Sequence, residues 1–293
     1  MIPIHVAFTM DCERIAAESP PGGPASWELS ERAIRGYSER LLERGHRPTL
    51  FLMPECAQRH ADLLGRLAER GVELGLHVHP QSLLDHRYQG YLGEYGAELQ
   101  REILALAAAL VKSATGVRPT SFRPGNFSAS DDTYSALYDL GFRQGSVSDP
   151  GRCSPQYAAM WQGACPDPHY VNPADKLRPG GLPFLEVPLT TDPDRLQPSG
   201  FPYELRIESG TFEDRHRPIL EGALQRMERE GVAFRALCIF THNTFPYDDP
   251  AAPRTVTLTQ FLDYLDGLGQ RMSVIPGALR EMHQRYQAQP ASF

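Results

Sequence analysis

Two pairs of residues in this chain are spaced to put reactive groups on one face of a β-strand. In "VELGLHVHPQ" (residues 72–81), His77 and His79 flank Val78 at the end of an apolar run. In "FTMDCE" (residues 8–13), Asp11 and Glu13 flank Cys12 in the same way. Successive side chains of a strand alternate faces, so residues i and i+2 leave it together. Imidazole is the commonest side-chain metal ligand, and a catalytic zinc site uses three protein ligands with one position open. Two carboxylates at one strand end can divide the work of metal ligand and general base, because a nearby cation keeps one of them ionised. Cys12 is expected to face the other way as a small buried hydrophobe, although a thiolate ligand is compatible with the sequence. Such chemistry needs a fold that brings these strand ends together.

The elements that must do so are legible as a repeated unit. Helical patterns end at Gly45, Gly71, Gly116, Gly141, Gly231 and Gly269, and a β-rich run follows each: "TLFLM", "VELGLHV", "TSFR", "QGSVS", "ALCIF" and "MSVIP". Glycine past a helix C-terminus and a short loop into a strand are typical of alternating α/β units. The spacing predicts helices over 30–44, 57–70, 95–114, 131–140, 215–230 and 258–268, with Ser30 as N-cap of the first. Adding "IHVAFT" at the start and "FLEVPL" near 186 makes seven or eight strands. Alternation of this kind implies a parallel sheet with right-handed crossovers, and so many units in one chain suit a closed barrel. No glycine-rich nucleotide fingerprint supports an open doubly wound sheet. With no low-complexity linker, residues 1–293 are expected to form one domain. The irregular stretch 149–183, rich in Pro, Gly, Cys and aromatics, is expected to be a substrate wall, a lid or a short subdomain.

Composition narrows the partners. A formal charge of -7, with no basic tract, argues against nucleic acid or anionic membranes. No apolar window approaches the ~18 residues of a membrane span. The first residues carry no basic-then-apolar leader pattern. Five cysteines, an odd number without CxxC spacing, do not form a disulfide framework, which points to a cytoplasmic protein with reduced thiols.

Reactive groups of a parallel barrel gather at the C-terminal ends of its strands. Five of those ends carry Asp, Glu, His or Arg where the apolar run stops: "FTMDCE", "LHVHPQ", "SFRPGNFS", "SVSDPG" and "IFTHNTF". In that order, "FTMDCE", "HVHP", "SFRPG", "SVSD" and "FTHN" resemble the five motifs of the polysaccharide deacetylase (NodB-like) family over roughly residues 5–245. The resemblance implies an α/β fold, a single distorted (β/α)7-8 barrel, and hydrolysis of N-acetyl groups with a divalent metal. Two departures stand out. The family's usual TFDDG reads here as a D-x-E variant, and its usual H-x-x-x-H-P is two residues shorter. By the resemblance, Asp11 is the base, and Glu13, His77 and His79 hold the metal, with Gln81 the lesser candidate for the second histidine's place. Arg123 matches the arginine that holds the base. Asp149 matches the fourth motif's acid, partnering Arg123 or orienting His242, and His242 matches the proton donor to the leaving amine.

The implied activity is removal of an N-acetyl group from an amino sugar, a small-molecule or glycan substrate, with zinc as the default metal and other first-row metals compatible. Rivals are the same chemistry on a non-sugar amide or cyclic imide, and a silent sugar-binding homologue. An amidohydrolase or metallophosphoesterase barrel normally has its HxH on the first strand, whereas this one is on the third. A non-haem iron triad usually has H-x-D/E spacing, absent here. The remaining histidines (5, 46, 60, 86, 169, 216, 283) read as structural or solvated. Tyr157, Trp161 and Tyr170 are set either to stack on a sugar or to form the irregular segment's own core.

Overall fold

The computed structural model describes residues 2–18, 22–83 and 87–289. Its centre is β1 (Ile4–Cys12), buried along all nine residues, as expected of a strand covered on both faces. Around it run β2 (Thr49–Leu52), β3 (Glu73–Val78), β4 (Ser121–Pro124), β5 (Gln144–Gly145), β6 (Leu182–Glu186), β7 (Arg235–His242) and β8 (Val274–Pro276). The parallel order is β7-β1-β2-β3-β4-β5-β6, with β8 beside β1. Beyond β6 the sheet continues antiparallel through His169–Asn172 and Asp175–Pro179.

The sheet curls into a barrel that is closed by a bridge instead of a full ladder. Between β6 and β7, Phe240 N–H donates to Leu205 O at 3.0 Å and Ile207 N–H to Phe240 O at 3.0 Å. On the other side of that bridge, Leu205 N–H donates to Thr190 O at 2.9 Å. β5 is shorter than expected because the Glu186 carboxylate takes the N–H groups of Val147 and Ser148, at 3.0 and 2.9 Å, which would otherwise extend a strand.

Helices pack outside: α1 (Trp27–Glu43), α2 (Pro54–Arg59), α3 (Ala61–Glu69), α4 (Ala97–Thr115), α5 (Asp132–Asp139), α6 (Arg217–Arg229), α7 (Pro253–Gly269) and α8 (Leu279–Gln287). Gly116, at φ 74°, ends α4 in the left-handed conformation that glycine adopts without strain. Gly269, by contrast, lies inside α7. Ser26, not Ser30, caps α1, its hydroxyl accepting from Leu29 N–H at 3.2 Å. Ser30 is one turn inside, buried, where its hydroxyl meets Asn243 and His60 at 2.8 and 3.0 Å. The helix expected over 57–70 is two, because Pro54 starts a turn early and His60 leaves helical geometry between them. A hairpin of Thr191–Leu196 with Pro202–Glu204, and α8, have no counterpart in the sequence reading.

Within 149–183 the chain is ordered. Cys153–Ser154 pairs with Ala159–Met160, and Trp161 is fully buried with its indole N–H donating to Phe127 O at 2.8 Å. Tyr170 packs on His283 and Tyr286, so both of these aromatics belong to the core, while Tyr157 faces a cavity.

Candidate metal and hydrolytic site

Strand register brings the site together. β1 and β7 pair Asp11 with His242, and β3 and β4 pair His77 with Arg123. Glu13, just past β1, is fixed by Asn243, which accepts from its N–H and donates to its carbonyl, both at 2.9 Å. The Glu13 carboxylate then lies across the end of β3, with Oε1 3.1 Å from His77 Nε2 and 3.0 Å from His79 Nε2. Ligand atoms of Glu13, His77 and His79 all fall within 4.8 Å of one another.

This cluster fits a divalent cation. His77 Nδ1 faces the Arg123 carbonyl at 2.9 Å. A carbonyl only accepts, so that nitrogen carries the proton and Nε2 turns its remaining position to Glu13. Two imidazole nitrogens aimed at one carboxylate oxygen, with the carboxylate buried, is a two-histidine, one-carboxylate donor set of the kind zinc takes. Burial opposes ionisation of Glu13, but His79 and His77 outweigh it and hold its carboxyl well below the usual carboxylate range. Burial likewise lowers the His77 pKa, and Asp11 and Glu13 more than reverse this, raising it. Cys12 is buried on the opposite face beside Cys56 of α2, outside the cluster. Gln81 lines an outer cavity together with Glu13 and His79.

Arg123 is fully buried and holds Asp11. Its Nη1 donates to Asp11 Oδ1 and to the Thr9 hydroxyl, each at 2.8 Å, and Nη2 donates to Ser146 Oγ at 2.9 Å. The rings of Phe51 and Phe240, at 4.6 and 5.3 Å, add cation–π contact. Such a buried pair is bound to its geometry, since neither charge can relax into water.

His242 is oriented by Glu208. Its Nδ1 lies 2.5 Å from Glu208 Oε1, while the Thr241 hydroxyl donates to Oε2 at 2.7 Å and Arg206 Nε to Oε1 at 2.9 Å. Burial opposes the charge on Glu208, but His242 and Arg206 overcome it and keep it ionised. Arg206 Nη2 also approaches His242 Nδ1 at 3.4 Å, but both carry protons there, so the shorter carboxylate contact governs. Nε2 is left as the ring nitrogen available to the cavity.

Asp149 makes neither contact expected of it. Arg123 is held by Asp11 and Ser146, and His242 by Glu208. Instead Asp149 lies 3.6 Å from Arg152, and burial pushes its carboxyl up to about 7 against the pull of that arginine. Among the described residues the other histidines stay outside the cluster: His5 stacks on Phe234, His60 meets Ser30, and His283 meets Gln144. His86 lies outside the described residues.

Asp11, Glu13, His77, His79 and His242 line one inner cavity of about 130 Å³. It adjoins an outer cavity of about 390 Å³, with Glu13, His79, Asn126 and Arg152 common to both. Glu208 and Gly125 escaped the sequence reading. Glu208 sits in a loop with no periodicity, and Gly125 was part of a motif without a stated role. A Cβ on Gly125 would stand 2.3 Å from His79 Nδ1. Gly125→Ala should therefore displace that imidazole and weaken metal binding about 10–100-fold, the usual worth of a residue supporting a ligand. Competition with a chromophoric chelator measures this, and unchanged affinity would refute the role.

Residues 35–145 match the polysaccharide deacetylase family model, a span that includes His77, His79 and Arg123. No curated protein matches the sequence significantly. Among solved structures, a Mycobacterium smegmatis protein named as a polysaccharide deacetylase is 17% identical, with 98% of this chain and 91% of that one covered at a TM-score of 0.65. PuuE allantoinase is 17% identical, with 100% and 93% covered and a TM-score of 0.64. A CE4 family pseudoenzyme from Bacillus anthracis is 12% identical, with 96% and 66% covered and a TM-score of 0.50. At such identities the likeness is one of fold. Over residues 35–145 the chain is thus similar to the polysaccharide deacetylase family, and its fold is that of the solved structures above.

Proposed function

We propose that the protein is a metal-dependent amide hydrolase that removes the N-acetyl group of an amino sugar, with residues 1–293 acting as one domain. One observation carries this reading: Asp11, His242 and the Glu13–His77–His79 cluster line a single cavity, each backed by its own partner. Glu13, His77 and His79 would hold a divalent cation, zinc by donor type, which when bound would supply Lewis-acid activation of the amide carbonyl and of water. Asp11, held by Arg123, accepts the water's proton as the new C–O bond forms. His242, its Nδ1 proton bound by Glu208, gives a proton from Nε2 to the leaving nitrogen as the C–N bond breaks. The products are a carboxylic acid and a free amine.

The test is acid release from N-acetylated sugars by metal-loaded protein, before and after chelation. A second reading, hydrolysis of a cyclic amide, is favoured by the likeness in fold to PuuE allantoinase, so allantoin belongs in the same panel. The fold is also that of a pseudoenzyme; what supports an active enzyme is the Arg123–Asp11 contact and the clustering of Glu13, His77 and His79. No release from any amide would overturn the hydrolase reading. No helix among the described residues is long and apolar enough to cross a membrane. All five cysteines are free, which suits a reducing compartment, and the reading puts the protein in the cytoplasm.

Glu208→Gln keeps the shape beside His242 but removes the charge that supports its protonated form. It should lower kcat about 10–100-fold, part of the worth of general acid catalysis, with KM little changed. Steady-state kinetics decide this. A rise in KM at constant kcat would mean that Glu208 serves binding instead.

A further inference from the structure

The inner cavity contains a charged pair that the hydrolytic scheme does not use. Asp149 and Arg152 line it beside Glu13 and His79, and Arg152 reaches the outer cavity as well. Asp149 is only 6% exposed, yet its Oδ1 has no hydrogen-bond partner among the described residues. A buried carboxylate oxygen without a donor is costly, so a native fold seldom keeps one unless something else supplies the donor. Arg152 is similarly half-used. Its Nε donates to Ser154 Oγ at 3.1 Å, and its Nη1 is 3.6 Å from Asp149 Oδ2, too far for a direct hydrogen bond. Nη2 has no partner among the described residues. The rings of Phe201, Phe127 and Tyr157, at 5.1, 5.6 and 5.9 Å, hold the guanidinium in place. Glu204, on the same wall, is already engaged by Gln197 at 2.6 Å and has no such vacancy to fill.

An acceptor and a donor thus stand side by side, fixed, at the wall of the cavity that holds the candidate metal cluster. An anionic ligand would meet Asp149, and a cationic one would meet Arg152. A neutral ligand with neighbouring donor and acceptor groups satisfies both. Adjacent hydroxyls of a sugar ring do this, and Tyr91, Tyr157 and Phe201 in the outer cavity offer apolar faces to the ring's C–H groups. We propose that Asp149 and Arg152 form a subsite that reads neighbouring hydroxyls on the sugar carrying the scissile amide, Asp149 accepting from one and Arg152 donating to the next. The proposal rests on the hydrolase reading above and names what sets its substrate class.

The experiment compares N-acetylglucosamine with N-cyclohexylacetamide, which presents an amide on a ring without hydroxyls. Wild-type protein should prefer the sugar, and the ratio of the two kcat/KM values should fall about 10–100-fold in Asp149→Ala and in Arg152→Met, the worth of hydrogen bonds to charged groups. Asp149→Asn, which keeps volume and one acceptor, should lose less and guards against misfolding of the alanine variant. A ratio unchanged in all three variants would overturn the subsite, as would wild-type preference for the hydroxyl-free amide or for allantoin. If no amide is hydrolysed, the hydrolase reading fails by itself. The subsite is then decided by calorimetric titration with N-acetylglucosamine: weaker binding in Asp149→Ala supports it, and equal affinity or no wild-type binding overturns it.

Discussion

Asp11→Asn should keep its metal and lose hydrolysis about 10²–10⁴-fold, the usual worth of a general base. An amide is nearly the shape of the carboxylate, but it cannot take a proton from water at neutral pH. The substitution also removes the anion from a fully buried guanidinium, since Arg123 Nη1 has Asp11 Oδ1 at 2.8 Å and only the Thr9 hydroxyl besides. Breaking one side of a buried pair costs about 3–5 kcal/mol, so the variant should also unfold at lower denaturant. The two effects separate experimentally. Metal content and kcat are measured under conditions where denaturant curves show the variant folded. Near-normal turnover in that window would move the base to Glu13 or His242.

His77→Ala should abolish stoichiometric metal binding and reduce activity to the level left by chelation. His77 is both a member of the three-ligand cluster and, through its Nδ1 proton, the ring tied to the Arg123 carbonyl. Removing it leaves Glu13 and His79, one ligand short of what a catalytic zinc site needs. The fold should survive, because the core surrounding β3 is built from Leu74, Leu76 and Val78, which are untouched. Metal analysis after desalting, with circular dichroism as control, decides the matter. A variant that retains full metal would show the ligands to be elsewhere.

The strand ends were readable because their signal is local. Each apolar run stops at a reactive side chain, and the period of two tells which neighbours share its face. That rule alone puts Asp11 with Glu13 and His77 with His79, and the structure adds that the two pairs meet, with 3.0 and 3.1 Å between them. The helix–glycine–strand rhythm likewise announced a parallel barrel, missing the terminal helix α8 and the Thr191–Leu196 hairpin.

What tertiary structure alone decided is which of several equivalent acids would serve His242. Asp149 and Glu208 are loop carboxylates and Glu204 ends a short hairpin strand, and nothing in their sequence neighbourhoods ranks one above another. The choice follows from the bridge of residues 205–207 across the barrel's open seam, which pairs Arg206 with Phe240 and leaves Glu208 beside the end of β7. That pairing is settled by backbone hydrogen bonds between segments more than thirty residues apart, and no spacing within either segment encodes it. Asp149, in the loop after β5, is thereby left with an unpartnered oxygen facing the cavity. Its place just after an apolar run is local information, but its role depends on which distant loop partners His242.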